Sequence, residues 1–194
     1  NVSHTGGYIV GLALLGTILD MVGTGSNFVY SIASAAAAYF LSRSMLSAAG
    51  YTLSPANRFG AFFGLGILAG LATIVGLILL VVPGIIVFVR WLPAYGILIA
   101  EDTRVTDALR TSWHRTADSF WPLLVVALIY WAIMGAAIGG MVVVATDPGI
   151  SVLASSIPFN LLIAAGSAFS VGLSIAAYLM LGPQPSGDLG EVFA

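Results

Sequence analysis

The sequence predicts an all-α, polytopic membrane protein with six transmembrane helices and one amphipathic helix at the membrane surface. Hydrophobic residues make up 59% of the 194-residue chain and charged residues 7%, against roughly 25% charged residues in a soluble domain. So few charges cannot cover a water-exposed surface, and the apolar runs approach the roughly 20 residues that cross a bilayer. A net charge of −2 does not suggest nucleic acid as a partner, and the lack of cysteine excludes disulfides and thiolate ligands.

The first three apolar segments are separated by turn-forming residues. Segment one covers residues 8–22 and ends at Asp20 and a Gly-Thr-Gly-Ser turn. Segment two covers residues 27–46, and segment three covers residues 58–82 after a loop that contains a proline. Each segment is expected to cross the membrane once.

Prolines and glycines also mark the boundaries of the last three segments. Segment four covers residues 83–100; Pro83-Gly84 predicts a tight turn before it, and Pro93 predicts a kink within it. Segment five covers residues 120–145, and a Thr-Asp-Pro-Gly turn is expected after it at residues 146–149. Segment six is expected to start at Pro158 and to end near residue 181, with Asn160 making a hydrogen bond to a neighbouring helix.

The arginines predict the orientation in the membrane. Arg43 and Arg58 flank the loop between segments two and three, and three more arginines lie between segments four and five: Arg104, Arg110 and Arg115. Since positive charge stays in the cytoplasm, both termini are expected there. We expect one transmembrane domain over residues 1–181 and a mobile, acidic cytoplasmic tail over residues 182–194.

Residues 103–118 have the periodicity of an amphipathic helix lying in the cytoplasmic interface. One face carries mostly apolar residues and Trp113, and the opposite face carries arginines, acids and His114. Asp102 is expected to cap the helix. Four residues are the expected contacts: Arg104, Arg110, Trp113 and Arg115. They either fix the topology and touch lipid phosphate, or form a docking surface for a partner or a specific lipid.

Arg90 is the charged residue within segment four, about 10 Å from Pro83 at 1.5 Å per residue. A charge at that depth needs a partner. We expect it in the outer half of the bilayer, in an ion pair with Asp20. The open alternatives are backbone groups freed by Pro93, a lipid phosphate, or a functional site for an anion or lipid headgroup.

One stretch carries a family resemblance. It comprises Leu-Val-Val-Pro-Gly-Ile-Ile at residues 80–86, Glu101, Ala-Leu-Arg-Thr-Ser-Trp at residues 108–113, and Phe-Trp at residues 120–121. This pattern resembles the six-helix membrane domain of some glycerophosphodiester phosphodiesterases and related stand-alone bacterial inner-membrane proteins. The resemblance implies that fold and that membrane. It implies no activity, because the phosphodiesterase chemistry of fused members belongs to a separate soluble domain.

The sequence predicts a non-enzymatic membrane protein, and the resemblance implies the bacterial inner membrane. Glu101 and Asp102 are adjacent carboxylates, but neither histidine lies beside a candidate nucleophile, and no metal-ligand spacing or phosphate-binding loop occurs. We therefore expect no catalytic residue, metal or cofactor. The expected role is an accessory or scaffold subunit of a membrane assembly, with a membrane-protein partner or a second copy, or a lipid-interacting protein. The alternative is a small transporter or channel for a solute or lipid that uses Arg90.

Overall fold

The computed structural model describes residues 2–22, 26–79, 81–145 and 151–182, and these residues form helices and connections without a β-strand. The helices are α1 (Val2–Val22), α2 (Ser26–Ala48), α3 (Phe59–Leu79), α4 (Val81–Arg90), α5 (Ala94–Ala100), α6 (Val105–Arg115), α7 (Phe120–Ala145) and α8 (Val152–Leu181). The predicted all-α class is confirmed.

Four stretches of the described chain are long and apolar enough to cross a membrane: Phe59–Leu79, Val82–Ala100, Phe120–Val144 and Ala154–Leu181. A shorter apolar helix covers Thr5–Met21. These stretches indicate a membrane protein. The number of helices that cross the bilayer stays a prediction.

The helix boundaries follow the sequence closely at some prolines and depart from it at others. Segment five and α7 have the same bounds, and Pro93 separates α4 from α5. The prediction of a turn at Pro83-Gly84 is wrong, because both residues lie in the first turn of α4. The N–H groups of a first turn have no acceptor within the helix, so a proline there costs no hydrogen bond. The predicted start at Pro158 is also wrong, since α8 begins at Val152 and contains that proline.

Two predicted turns and the predicted tail lie outside the residues that the structure describes. Residues 23–25 and 146–149 belong to the predicted turns, and residues 183–194 make up nearly all of the predicted tail. These predictions stay untested.

The chain divides into two compact units. The first unit comprises Asn1–Ser44 and Trp121–Gly172. Within it, the hydroxyls of Tyr8 and Ser167 are hydrogen-bonded at 2.5 Å, which joins α1 to α8. The side chain of Tyr130 on α7 donates to the carbonyl of Gly166 on α8 at 3.1 Å.

The second unit comprises Met45–Phe120 and Leu173–Ala194, and α5 forms its centre. Five of the seven residues of α5 are buried, and Ile97 and Leu98 have no exposed surface. Helix α6 and part of α3 pack against α5. The last turns of α8 also contact it, since a Cβ on Gly96 would lie 2.4 Å from the Cβ of Tyr178. This unit contains the candidate site.

Candidate functional site

The break between α4 and α5 leaves backbone carbonyls without helical partners. Pro93 has no N–H, and residues 91–93 form a turn between the two helices. The hydroxyl of Ser112 donates to the Arg90 carbonyl at 2.7 Å, and the hydroxyl of Ser174 donates to the Leu92 carbonyl at 2.6 Å. Because these hydroxyls replace the lost helical bonds, the break can persist in a buried, water-poor place.

The side chain of Arg90 joins the end of α4 to the end of α6. Its Nη1 donates to the carbonyl of Trp113 at 3.1 Å, in the last turn of α6, where helix carbonyls lack partners. A cation at that end also complements the helix dipole. The guanidinium carbon lies 5.3 Å from the Trp113 ring centroid and 5.2 Å from that of Phe120, both within range of a cation–π contact. We call Arg90, Trp113 and Phe120 the Arg90 cluster.

These contacts change the interpretation of Arg90. The sequence predicts Arg90 in the outer half of the bilayer and Trp113 at the cytoplasmic surface. Since the guanidinium lies over the Trp113 ring, both placements cannot hold. The freed backbone near Pro93 is bonded by hydroxyls of other residues rather than by Arg90.

Asp20 also has a partner that differs from the predicted one. Its carboxylate accepts a hydrogen bond from Nδ2 of Asn160 at 2.7 Å, in the first unit, whereas Arg90 belongs to the second. The predicted Arg90–Asp20 ion pair therefore gains no support from the contacts of either residue. The prediction that Asn160 bonds to a neighbouring helix is confirmed, because Asp20 lies on α1 and Asn160 on α8.

Two ion pairs hold the connection between α5 and α6. Arg58 pairs with the Asp102 carboxylate and donates to the backbone carbonyls of Asp102 and Thr103. Arg115 binds both carboxylate oxygens of Glu101, with Nη2 to Oε2 at 3.0 Å. Such a two-point contact holds the guanidinium more firmly than a single bond.

Asp102 does not cap α6, contrary to prediction. Arg104 occupies the N-cap position, without a side-chain hydrogen bond to the helix. The backbone of Asp102 has φ of 51°, the left-handed region that aspartate tolerates better than most residues. Its carboxylate faces Arg58 instead.

Helix α6 has one buried and one exposed face. Four residues of the apolar face predicted from the sequence are buried: Ala108, Leu109, Ser112 and Thr116. That face packs against α5 and α3, so protein rather than lipid covers much of it. The opposite side, which we call the polar face of α6, is exposed: Arg104, Asp107, Arg110 and His114, with the half-exposed Trp113 at its border.

The structure separates the four predicted contact residues. Arg115 is bonded to Glu101, and Trp113 contacts Arg90. Arg104 and Arg110 are exposed, and within the described ranges neither makes an ion pair or a side-chain hydrogen bond. These two arginines therefore have guanidinium groups available for an external anion.

No family model matches this chain, and neither curated proteins nor solved structures give a match. The resemblance to the phosphodiesterase membrane domain stays a prediction. Across residues 2–22, 26–79, 81–145 and 151–182, no three histidine or acidic side chains lie close enough together to hold a metal ion.

The hydroxyls at the helix break are not among the site residues predicted from the sequence. Ser112 and Thr116 stand four residues apart on the otherwise apolar face of α6, and both hydroxyls reach the Arg90 carbonyl. That spacing is a usable signal, because two buried hydroxyls on one face indicate nearby acceptors. Ser174 gives no such signal, since α8 contains many serines.

Proposed function

We propose that this chain is a non-enzymatic integral membrane protein that binds the phosphate headgroups of membrane lipids through the polar face of α6. The supporting observation is the division among the arginines of the second unit. Arg58, Arg90 and Arg115 are bonded within the protein. Arg104, at the N-cap of α6, and Arg110, within α6, are exposed and have no described partner.

The chemistry of this face suits an anionic headgroup. A guanidinium offers paired N–H donors that match phosphate oxygens. Trp113 follows Arg110 by three residues on α6, and tryptophan prefers the headgroup level of a membrane. Each arginine near an anionic surface contributes about 1 kcal/mol. Asp107 lies on the same face and opposes the attraction.

We further propose that this face lies in the cytoplasm at the inner membrane, with both termini on the same side. The arginine distribution supports that orientation, and the resemblance supports the bacterial inner membrane. Six crossings, as predicted from the sequence, place both termini together, and so does any other even number.

The test compares lipid binding by the wild-type protein and by an Arg104→Gln, Arg110→Gln double variant in detergent. Increasing amounts of phosphatidylglycerol are added, and bound lipid is counted by native mass spectrometry. We expect the double variant to bind about ten- to thirty-fold more weakly, as two lost contacts of about 1 kcal/mol each imply. Added salt should reduce this difference.

A matched control changes the opposite charge on the same face. Asp107→Asn should strengthen binding to phosphatidylglycerol and leave binding to phosphatidylcholine nearly unchanged. Equal affinity of the wild type and the arginine double variant would contradict the proposal. One stoichiometric protein partner in place of lipid would favour an accessory or scaffold subunit.

The transporter or channel alternative gains less support. A solute path needs polar groups that a solute can reach, whereas Arg90 is held by a carbonyl and two aromatic rings. Those contacts favour a structural role for Arg90.

A further inference from the structure

Helices α3 and α4 pack closely on each other. A Cβ on Gly76 would lie 2.8 Å from the Cα of Gly84, and a Cβ on Gly84 would lie 2.6 Å from the backbone nitrogen of Leu77. The two helices therefore form a hairpin whose backbones nearly touch near its tip. The first half of α3 belongs to the packed part of the second unit. There Leu65 is fully buried, and the ring centroids of Phe62 and Tyr95 lie 4.9 Å apart.

The tip of this hairpin exposes only apolar side chains among its described residues. Ile78 is 78% exposed, Leu79 72% and Val82 65%. Residues 67–89 contain no charged residue, and Thr73 is their single polar side chain. A hairpin that crossed the bilayer would place its tip in water on the far side, where such a patch of bare apolar surface is unfavourable.

The base of the hairpin has the composition of a membrane–water boundary. The Arg90 cluster lies there, and the ring centroids of Trp91 and Trp113 are 6.4 Å apart. Tryptophans gather at the membrane interface. Beyond this level the exposed polar face of α6 begins, with charged residues unsuited to hydrocarbon.

The depth available to the hairpin follows from the length of α4. Helix α4 has ten residues from Val81, near the tip, to Arg90, and its length is about 15 Å at 1.5 Å per residue. The hydrocarbon core of a bilayer is about 30 Å thick. A hairpin that starts at the boundary therefore ends near the middle of the bilayer.

We infer that α3 and α4 form a re-entrant hairpin, which enters the bilayer from the side of α6, contacts the acyl chains of one leaflet with its tip, and returns without crossing. The chain then crosses the membrane fewer than six times. This inference does not depend on headgroup binding by α6, because the two concern different surfaces and different parts of the lipid.

The experiment measures the depth of single cysteines in the otherwise cysteine-free chain. A thiol-reactive fluorophore is attached at Ile78→Cys, and the protein is reconstituted into vesicles whose lipids carry nitroxide quenchers at the headgroup, in mid-chain or at the chain end. Quenching of the Ile78→Cys label should be strongest with the chain-end nitroxide. Leu71→Cys, nearer the base on the same helix, should be quenched best by the mid-chain nitroxide.

Val142→Cys, an exposed position near the far end of α7, provides the matched control, and its label should be quenched best from the headgroup. Equal depth profiles for the Ile78 and Val142 labels would overturn the inference, since the hairpin would then reach the far surface. Quenching of the Ile78 label by aqueous iodide alone would also overturn it. Neither result would bear on lipid counts with the Arg104 and Arg110 variants.

Discussion

At the scale of single residues, the neighbours of each arginine, rather than its position in the sequence, determine whether its guanidinium is bonded within the protein. Arg90 and Arg115 both bind groups of the second unit, the first a backbone carbonyl and the second a carboxylate. Arg110, five residues before Arg115 on α6, is exposed and has no described partner. A guanidinium held by planar partners is not replaceable by an ammonium group.

Replacement of Arg90 by lysine should therefore destabilise the protein. Lysine keeps the charge but loses the planar contacts with Trp113 and Phe120, and it loses the fixed donor to the Trp113 carbonyl. We expect a loss of about 2 kcal/mol, from one charged hydrogen bond and two cation–π contacts. This corresponds to a fall of about 4–8 °C in the melting temperature measured in detergent.

Arg110→Lys is the control for that measurement, since an exposed arginine without described partners should tolerate the change. Combining Arg90→Lys with Phe120→Leu should cost less than the two losses added together, because both remove the same contact. Strictly additive losses would mean that the Phe120 ring does not stabilise the guanidinium.

At the scale of helices, the sequence predicts where a helix forms better than it predicts what the helix packs against. The bounds of α7 and the break at Pro93 follow from local chemistry, so they could be predicted from the sequence. The two faces of α6 could be predicted as well, but hydropathy does not distinguish lipid from protein, so the packing on α5 could not. The start of α8 differs from the prediction because prolines favour the first turn of a helix, whereas α8 contains Pro158 in its interior.

The α3–α4 hairpin offers a prediction with a built-in control. Gly84→Ala should destabilise the protein by about 1–3 kcal/mol, because the added methyl group meets the backbone of Leu77. Gly70→Ala, on α3 where nothing lies within 4 Å of the added methyl, should be neutral or slightly stabilising, since alanine favours helix over glycine.

Thermal unfolding in one detergent compares these two glycine variants directly. If Gly70→Ala lowers the melting temperature as much as Gly84→Ala, the close approach of the two helices near the tip does not exist.

At the scale of the whole molecule, charge and apolar surface are sorted along the chain. Most charged residues of the described chain lie between residues 58 and 118, whereas the exposed surface of α7 is almost wholly apolar. The orientation could be proposed from the sequence because it depends only on where arginines occur. The number of crossings could not, because an apolar hairpin satisfies a length criterion whether or not it crosses.

The orientation is tested by labelling cysteines from outside intact cells with a membrane-impermeant thiol reagent. Asn57→Cys, beside Arg58, should be protected, and Thr146→Cys, which directly follows α7 in the sequence, should be labelled. After the cells are opened, both should react, which shows that each thiol is accessible in principle. Labelling of Asn57→Cys but not of Thr146→Cys in intact cells would reverse the proposed orientation.

The half-depth of the α3–α4 hairpin has a mechanical consequence. Two closely packed helices inserted into one leaflet increase its area, and the other leaflet gains no matching area. The protein then acts as a wedge, so its insertion costs less elastic energy where the inserted leaflet is on the convex side of a curved membrane. Lateral tension, which spreads the lipids of both leaflets, should favour the inserted hairpin in the same way.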